Sequence, residues 1–194
     1  MLVQYLQTLS FTHLVDMGCG TGDLLRELAL LKPQAHFTGI DRDQQVLVEA
    51  RHRLQGTALA SHITWLAEDC ARTSLPAGSA DVVLFARLLH HLEDPAAALG
   101  EASRILVRSG YLLIREGQRL PEPLFAEMNE QLRKLGLPPE VHPGFEVEEL
   151  TKYLGAQGFT VEDVLSEGSA TFATPPYTTK VYATNAFLLS AQKS

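Results

Sequence analysis

A chain of 194 residues, 45% apolar and 20% charged, has room for one full-sized core and the make-up of a globular enzyme, which excludes disordered and fibrous classes. Its formal net charge of -7, with no dense Lys/Arg block to offset it, argues against nucleic acid as a partner, because bound phosphates need cations. Two cysteines are too few for a disulfide scaffold, no run approaches the ~18 apolar residues of a membrane span, and MLVQYLQTLSFTH carries neither a basic leader nor a cleavage site. Reduced thiols, a cytoplasmic location, no signal peptide and no membrane partner are the expectation.

Leu2, Leu6 and Leu9 recur at helical spacing and predict a short opening helix. HLVDM (13–17) reads as a strand ended by glycines, and Asp23–Leu31 as a leucine-rich helix stopped before Pro33. The alternation continues with strand His36–Ile40, helix Gln44–Leu54, strand His62–Ala67, strand Asp81–Phe85, helix Pro95–Val107 and strand Gly110–Arg115. Short apolar runs alternating with helical patterns mark βαβ units, hence a parallel sheet covered on both faces, a doubly wound α/β fold. Beyond Glu116 the rhythm changes. Helices are predicted at Pro121–Leu135 and Val147–Ala156, and strands at Phe159–Leu165 and Lys180–Ala191, the two strands separated by a Thr/Pro-rich loop at Gly168–Thr179. The whole chain reads as one domain, with 117–145 long enough to form a helical lid over a site at the sheet's edge.

The strongest chemical signal is Asp16-Met-Gly18-Cys19-Gly20-Thr-Gly22, between the first strand and the first long helix. Glycines let the backbone turn sharply and approach a ligand, and the helix that follows presents free N–H groups. A dinucleotide fingerprint places a third glycine where this chain has Asp23, and an acid there is poorly placed for a pyrophosphate. No Gly-Lys-Ser/Thr ending suits a nucleoside triphosphate either, so the loop favours a nucleoside without phosphates. Asp41, about 20 residues on at the end of FTGID, is placed to accept from both ribose hydroxyls, or else to cap the next helix. Glu68 and Asp69 end the third strand, facing an adenine or only solvent.

LVDMGCGTGDLL, GID, AEDC, DVVLFARLLHHLEDPAAALGEASRIL and GYLLIREG, in this order over residues 12–116, resemble the motifs of class I S-adenosylmethionine-dependent methyltransferases. The match is to the small-molecule, type 11-like branch with Leu-His-His-Leu-x-Asp-Pro after the fourth strand. The resemblance implies a Rossmann-like seven-stranded sheet of order 3-2-1-4-5-7-6 with an antiparallel seventh strand. It implies S-adenosylmethionine as cofactor, with Gly18, Gly20 and Gly22 cradling its methionine part and Asp16 holding the amino group. Asp41 would then hold the ribose and Asp69 the adenine amine, with Ala86 and Arg87 beside the methionine end. Cys19, Arg42 and Cys70 flank these positions and complete the expected cofactor set.

Three departures follow. Only a dozen residues precede the first strand, so cover for the site falls to 117–145, to the loop 168–179, or to another subunit of a homo-oligomer. The usual Lys-Pro-Gly-Gly turn before the fifth strand is here Val107-Arg108-Ser109-Gly110. The matching motifs concern the cofactor and say little of the acceptor, which is expected to be a small molecule offering an O, N, C or S nucleophile. His90 and His91 are the candidate catalytic residues. One imidazole would face the acceptor and remove its proton, since an ordinary value near 6.5 suits that task, or the ring packs and caps the next helix. No metal site is expected, because adjacent histidines at a turn into a helix rarely face one ion. Thr174-Pro-Pro-Tyr177 lies about 90 residues too late for the Asp/Asn-Pro-Pro-Tyr motif of nucleic-acid amino-methyltransferases, and Arg51-His-Arg53 reads as a solvated helix face. A non-catalytic cofactor-binding regulator, a nicotinamide oxidoreductase and a methyltransferase for macromolecules are the competing readings.

Overall fold

Five apolar runs that show no polar alternation need helices on both sides, and the chain supplies them. The computed structural model describes residues 1–140, 142–172 and 182–193. Strands β1 (His13–Met17), β2 (His36–Asp41), β3 (Ile63–Ala67), β4 (Ala80–Ala86), β5 (Leu106–Gly117), β6 (Phe159–Phe172) and β7 (Tyr182–Lys193) form one sheet. Its order is β3-β2-β1-β4-β5-β7-β6, the order that the family resemblance implies. The first five strands pair in parallel, while β7 runs antiparallel to both β5 and β6.

Helices α1 (Leu2–Thr8), α2 (Asp23–Leu31) and α3 (Gln44–Leu54) sit on one face, α4 (Pro95–Ile105) and α6 (Val147–Ala156) on the other. Successive strand residues feed opposite cores. Leu14, Val82, Leu84 and Leu113 pack with Leu6, Leu25 and Leu28, whereas Val15, Met17, Val83, Phe85 and Ile114 pack with Leu99, Ile105, Leu150 and Leu154. All of these are shut from solvent, each large side chain contributing roughly 1.5–3 kcal/mol.

Three boundaries differ from expectation. Helix α4 stops at Ile105, because Leu106 already pairs with Ala80 and begins β5. Residues 107–110 then bulge out, with Ser109 left-handed at φ 62, before Tyr111 pairs with Val82. Strand β6 continues to Phe172, since the hairpin partner Tyr182 extends the ladder, so the predicted loop begins later than Gly168. The remainder of that loop, with Thr174–Tyr177, lies outside the described residues. Between β5 and α6, helix α5 (Glu122–Lys134) fills much of 117–145 and buries none of its residues fully. The two feet of this segment are tied together, by Gln118 pairing with Phe145 and by Leu120 N–H donating to Pro143 O at 2.7 Å.

Glu101 on α4 anchors the loop after β3. Arg104 Nε donates to its Oε2 at 2.7 Å, and the Thr73 N–H and hydroxyl donate to Oε1 at 2.7 and 2.6 Å. The Arg104 guanidinium first, and Thr73 after it, hold the Glu101 carboxyl down at about 2 against an ordinary 4.5. A lowered acid contributes stability above its unfolded value, and the contribution is lost as pH falls from 4.5 through about 2. Glu101→Gln is therefore expected to cost about 1–2 kcal/mol at pH 7, with solvent screening allowed for. Urea unfolding of both proteins checks this: the gap narrows by more than half at pH 3, and a gap that does not change with pH contradicts the assignment.

Candidate active site

The carboxyl ends of β1, β2 and β4 meet where the strand order reverses, the place at which open α/β sheets bind ligands. There the loop 18–22 leaves β1 with Gly18, Gly20 and Gly22 all left-handed, at φ 71, 52 and 72. Two of these glycines are forced by close neighbours. A Cβ on Gly22 would run into the Trp65 ring and one on Gly18 into Leu88, whereas one on Gly20 would meet nothing within 4 Å. Gly20 is thus the open floor of the loop. The Gly18 and Cys19 N–H groups are spent on Ile40 O at 2.7 and 3.0 Å, which locks the loop to β2.

Asp16, next to last in β1, is only 2% exposed, and its Oδ1 is buried with no hydrogen-bond partner among the described residues. Burial, with the Asp41 charge adding to it, pushes its carboxyl from 3.8 up to about 8. Asp41 stands opposite. Its Oδ2 accepts from Gly20 N–H at 3.0 Å and its Oδ1 from Asp43 N–H at 3.0 Å. The cap of α3 is Asp43, which accepts from Gln45 N–H at 2.8 Å, so Asp41 is not a helix cap. A carboxylate offers about four acceptor positions, and these bonds use two of them.

At the end of β3, Glu68 is committed to Ser74, taking its N–H at 2.8 Å and its hydroxyl at 2.7 Å. Its neighbour Asp69 is exposed and makes a local turn with Ala71 N–H at 2.9 Å. Beside it Cys70 is buried and its thiol pushed up to about 11, chiefly by burial, while the Arg42 charge acts in the opposite sense. The Cys19 thiol is likewise pushed up by burial and by the charges of Asp16 and Asp41. Asp23, the residue that broke the dinucleotide pattern, binds Arg53 Nη1 at 3.0 Å and serves the contact between α2 and α3. Arg51, His52 and Arg53 are all exposed, as a solvated helix face requires, with Arg51 reaching Trp65 O at 3.0 Å and Arg53 pairing across helices.

Ala86 closes β4, and Arg87 follows in a left-handed conformation at φ 60, its N–H donating to Arg115 O at 2.8 Å. Strained non-glycine backbone of this kind gathers at functional sites. Burial, and Arg115 after it, lower the Arg87 guanidinium. A 3-10 turn at Leu89–His91 then sets both imidazoles at this edge, with ring centroids 4.0 Å apart. Neither ring caps α4, because Asp94 Oδ1 accepts from Ala97 N–H at 3.1 Å and does so itself. His90 Nδ1 lies 2.6 Å from Glu116 Oε2, and Leu89 N–H donates to Glu116 Oε1 at 2.7 Å. His91 Nδ1 lies 2.9 Å from Glu140 Oε2, which comes from the segment after α5 and raises the imidazole. Asn129 on α5 holds Glu140 by both backbone groups, at 2.8 and 3.2 Å.

The family described as "Methyltransferase domain" matches residues 15–114, a little over half of the chain. The chain belongs to this methyltransferase family. Among curated relatives, the ubiquinone/menaquinone biosynthesis C-methyltransferase UbiE of Roseobacter denitrificans is 30% identical over 110 residues, 57% of this chain and 44% of that protein. The ubiquinone biosynthesis O-methyltransferase of Marinobacter nauticus is 31% identical over 156 residues, 71% of this chain and 65% of its own. The chain thus spans less than half the length of the first of these relatives. A geranyl diphosphate methyltransferase solved in complex with S-adenosylmethionine superposes with a TM-score of 0.79 at 14% identity, covering 100% of this chain and 83% of that one, a likeness of fold alone.

S-adenosylmethionine is the family's cofactor, and the residues present fit it. The orphaned Asp16 Oδ1 suits a cationic amino group, the open Gly20 floor suits close approach, and Asp41 keeps acceptor capacity for hydroxyls. In the methyltransferase the sequence-predicted residues Asp16, Gly18, Cys19, Gly20, Gly22, Asp41, Arg42, Asp69 and Cys70 gather along the ends of β1, β2 and β3, with Ala86, Arg87, His90 and His91 continuing the edge past β4. Sequence reasoning missed Trp65 and Leu88, which shape the glycine loop, and Glu116, Asn129 and Glu140, which hold the histidines. Glu116 alone left a signal, as an acid two residues beyond the apolar run Tyr111–Ile114 of β5.

Proposed function

We propose that the chain transfers the methyl group of S-adenosylmethionine to a small-molecule acceptor by in-line displacement. The observation that carries this reading is the pair of carboxyls, Asp16 buried and unsatisfied and Asp41 bonded to Gly20, on either side of an open glycine floor. In this reading Asp16 takes the cofactor's amino group, Gly18, Gly20 and Gly22 approach its methionine part, and Asp41 takes the ribose hydroxyls. Asp69 takes the adenine amine, with Arg42, Cys19 and Cys70 packing alongside and Ala86–Arg87 at the methionine end. The sulfonium makes the methyl electrophilic when bound, so the chain's own task is alignment and exclusion of water. The small-molecule acceptor agrees with the names of the two quinone-pathway relatives and with the net charge of -7. Two free thiols support a cytoplasmic setting, and no helix among the described residues is long and apolar enough to cross a membrane.

The acceptor meets the methyl at the His90–His91 edge. Glu116 is 1% exposed and fixes the His90 ring through Nδ1, which turns Nε2 outward and makes this imidazole the group on which an acceptor's proton depends. The segment 117–145 acts as the lid over this edge. Its feet are pinned together, α5 is not buried, and Glu140 is its contact with the floor.

Asp41→Ala loses charge-assisted hydrogen bonds worth about 1.5–3 kcal/mol each, against competition from water. A net loss of about 2–4 kcal/mol weakens S-adenosylmethionine about 30- to 1000-fold, with Asp41→Asn between. Calorimetric titration decides it, with folding checked by thermal unfolding, and parental affinity in Asp41→Ala removes the ribose assignment. His90→Ala is expected to slow methyl transfer from labelled cofactor to a metabolite pool by about 10²–10⁴-fold while cofactor affinity holds. An unchanged rate makes His90 a packing residue. Replacing 121–142 by a short Gly/Ser bridge is expected to spare cofactor affinity and abolish turnover, and retained turnover refutes the lid.

A further inference from the structure

The expectation of no metal rested on the poor prospects of two adjacent histidines sharing one ion. The 3-10 turn at Leu89–His91 removes that ground, because it brings the two rings to one place, their centroids 4.0 Å apart and their planes tilted by 45°. Glu140 then arrives from the lid, and one ligand atom from each of His90, His91 and Glu140 lies within 4.8 Å of the other two. Glu140 Oε2 is closed to solvent and makes no well-angled hydrogen bond, although it lies 2.9 Å from His91 Nδ1. We propose that His90, His91 and Glu140 bind one divalent cation of the zinc class, through which the site holds an oxygen of its acceptor.

Two features beyond the trio support this. Metal-bound imidazoles almost always give their other ring N–H to a carboxylate, a backbone carbonyl or water, and Glu116 takes His90 Nδ1 at 2.6 Å from a fully buried position. The carboxylate ligand is also held, because Asn129 binds both backbone groups of Glu140. Ligands of a tetrahedral zinc at 2.0–2.1 Å lie about 3.3 Å apart, so the widest pair must close by about 1.5 Å, a side-chain rotation. Two histidines and one carboxylate leave a coordination position open, as in catalytic rather than structural zinc sites. An acceptor hydroxyl taking that position gives its proton to solvent and stays bound as the oxyanion. Its oxygen then forms the bond to the methyl carbon as the carbon–sulfur bond breaks, and that bond's electron pair goes to the sulfur, leaving a neutral thioether. The cation would thus exert the control of the acceptor's proton that we assign to His90, and the inference rests on placing the acceptor at this edge.

The test uses the full chain stripped with chelator and titrated with Zn²⁺ by calorimetry and with Co²⁺ by absorption. The expected result is one equivalent bound, a Co²⁺ spectrum without a thiolate charge-transfer band, and binding weakened at least ~100-fold in both His91→Ala and Glu140→Gln, with Glu116→Gln losing about 10–100-fold. Circular dichroism confirms that each variant is folded. Absence of saturable binding, binding unchanged in both His91→Ala and Glu140→Gln, or a thiolate band from Cys19 or Cys70 overturns the proposal. A thermal shift with S-adenosylmethionine on the same stripped samples keeps the two readings apart. If that shift persists while the ion fails to bind, the methyltransferase reading stands and the cation site falls.

Discussion

One unsatisfied carboxyl organises the site. Asp16 is buried near the end of the central strand with an oxygen that no group among the described residues answers, and Asp41 adds its charge nearby. An acid raised from 3.8 to about 8 subtracts stability as pH climbs between those values, since the unfolded chain gives up the proton first. A fold keeps such a group when something outside the chain compensates it. In the proposed reading the ammonium of an amino-acid cofactor supplies the compensating charge and would turn the cost into an ion pair.

The topology explains why this acid can exist at all. Asp16 lies between β2 and β4, at the reversal of strand order, where the crossover connections of β1 and β4 leave to opposite faces and open a crevice. The same reversal brings Asp41 and the β4 end within one edge, so that cofactor and acceptor positions are neighbours without any long-range device. The cost of the glycine loop is met by packing. Trp65 and Leu88 fill the space that side chains on Gly22 and Gly18 would need, which makes the loop rigid in its backbone and open only over Gly20.

Much of this was legible from the residues. Binary patterning located the strands of the parallel half, because β1, β4 and the middle of β5 are buried on both faces and read as apolar runs, whereas β3, at the sheet edge, is buried only at Ile63. The sheet order and the β7 direction came from resemblance to a family, as no pattern in the chain specifies which of two late strands is central. The candidate acids Asp16, Asp41 and Asp69 stood out because they are local to a glycine loop and to strand ends. Glu140 and Asn129 were not, since they reach the site through a helix with no buried residue and a segment whose path periodicity cannot predict. The bond between Glu68 and Ser74 was not legible either: the partner is six residues away, and nothing in the strand pattern announces that turn.

The account turns on whether Asp16 is the cofactor's counter-charge. Calorimetry of S-adenosylmethionine binding at pH 7 in two buffers of different ionisation enthalpy measures the protons released. With the free acid raised to about 8, the account predicts that most of a proton is released per cofactor bound, less a small uptake by the cofactor's amino group, and that the release is lost in Asp16→Asn, which binds more weakly. Tight binding with no proton released, or binding by Asp16→Asn as tight as the parent's, would contradict it.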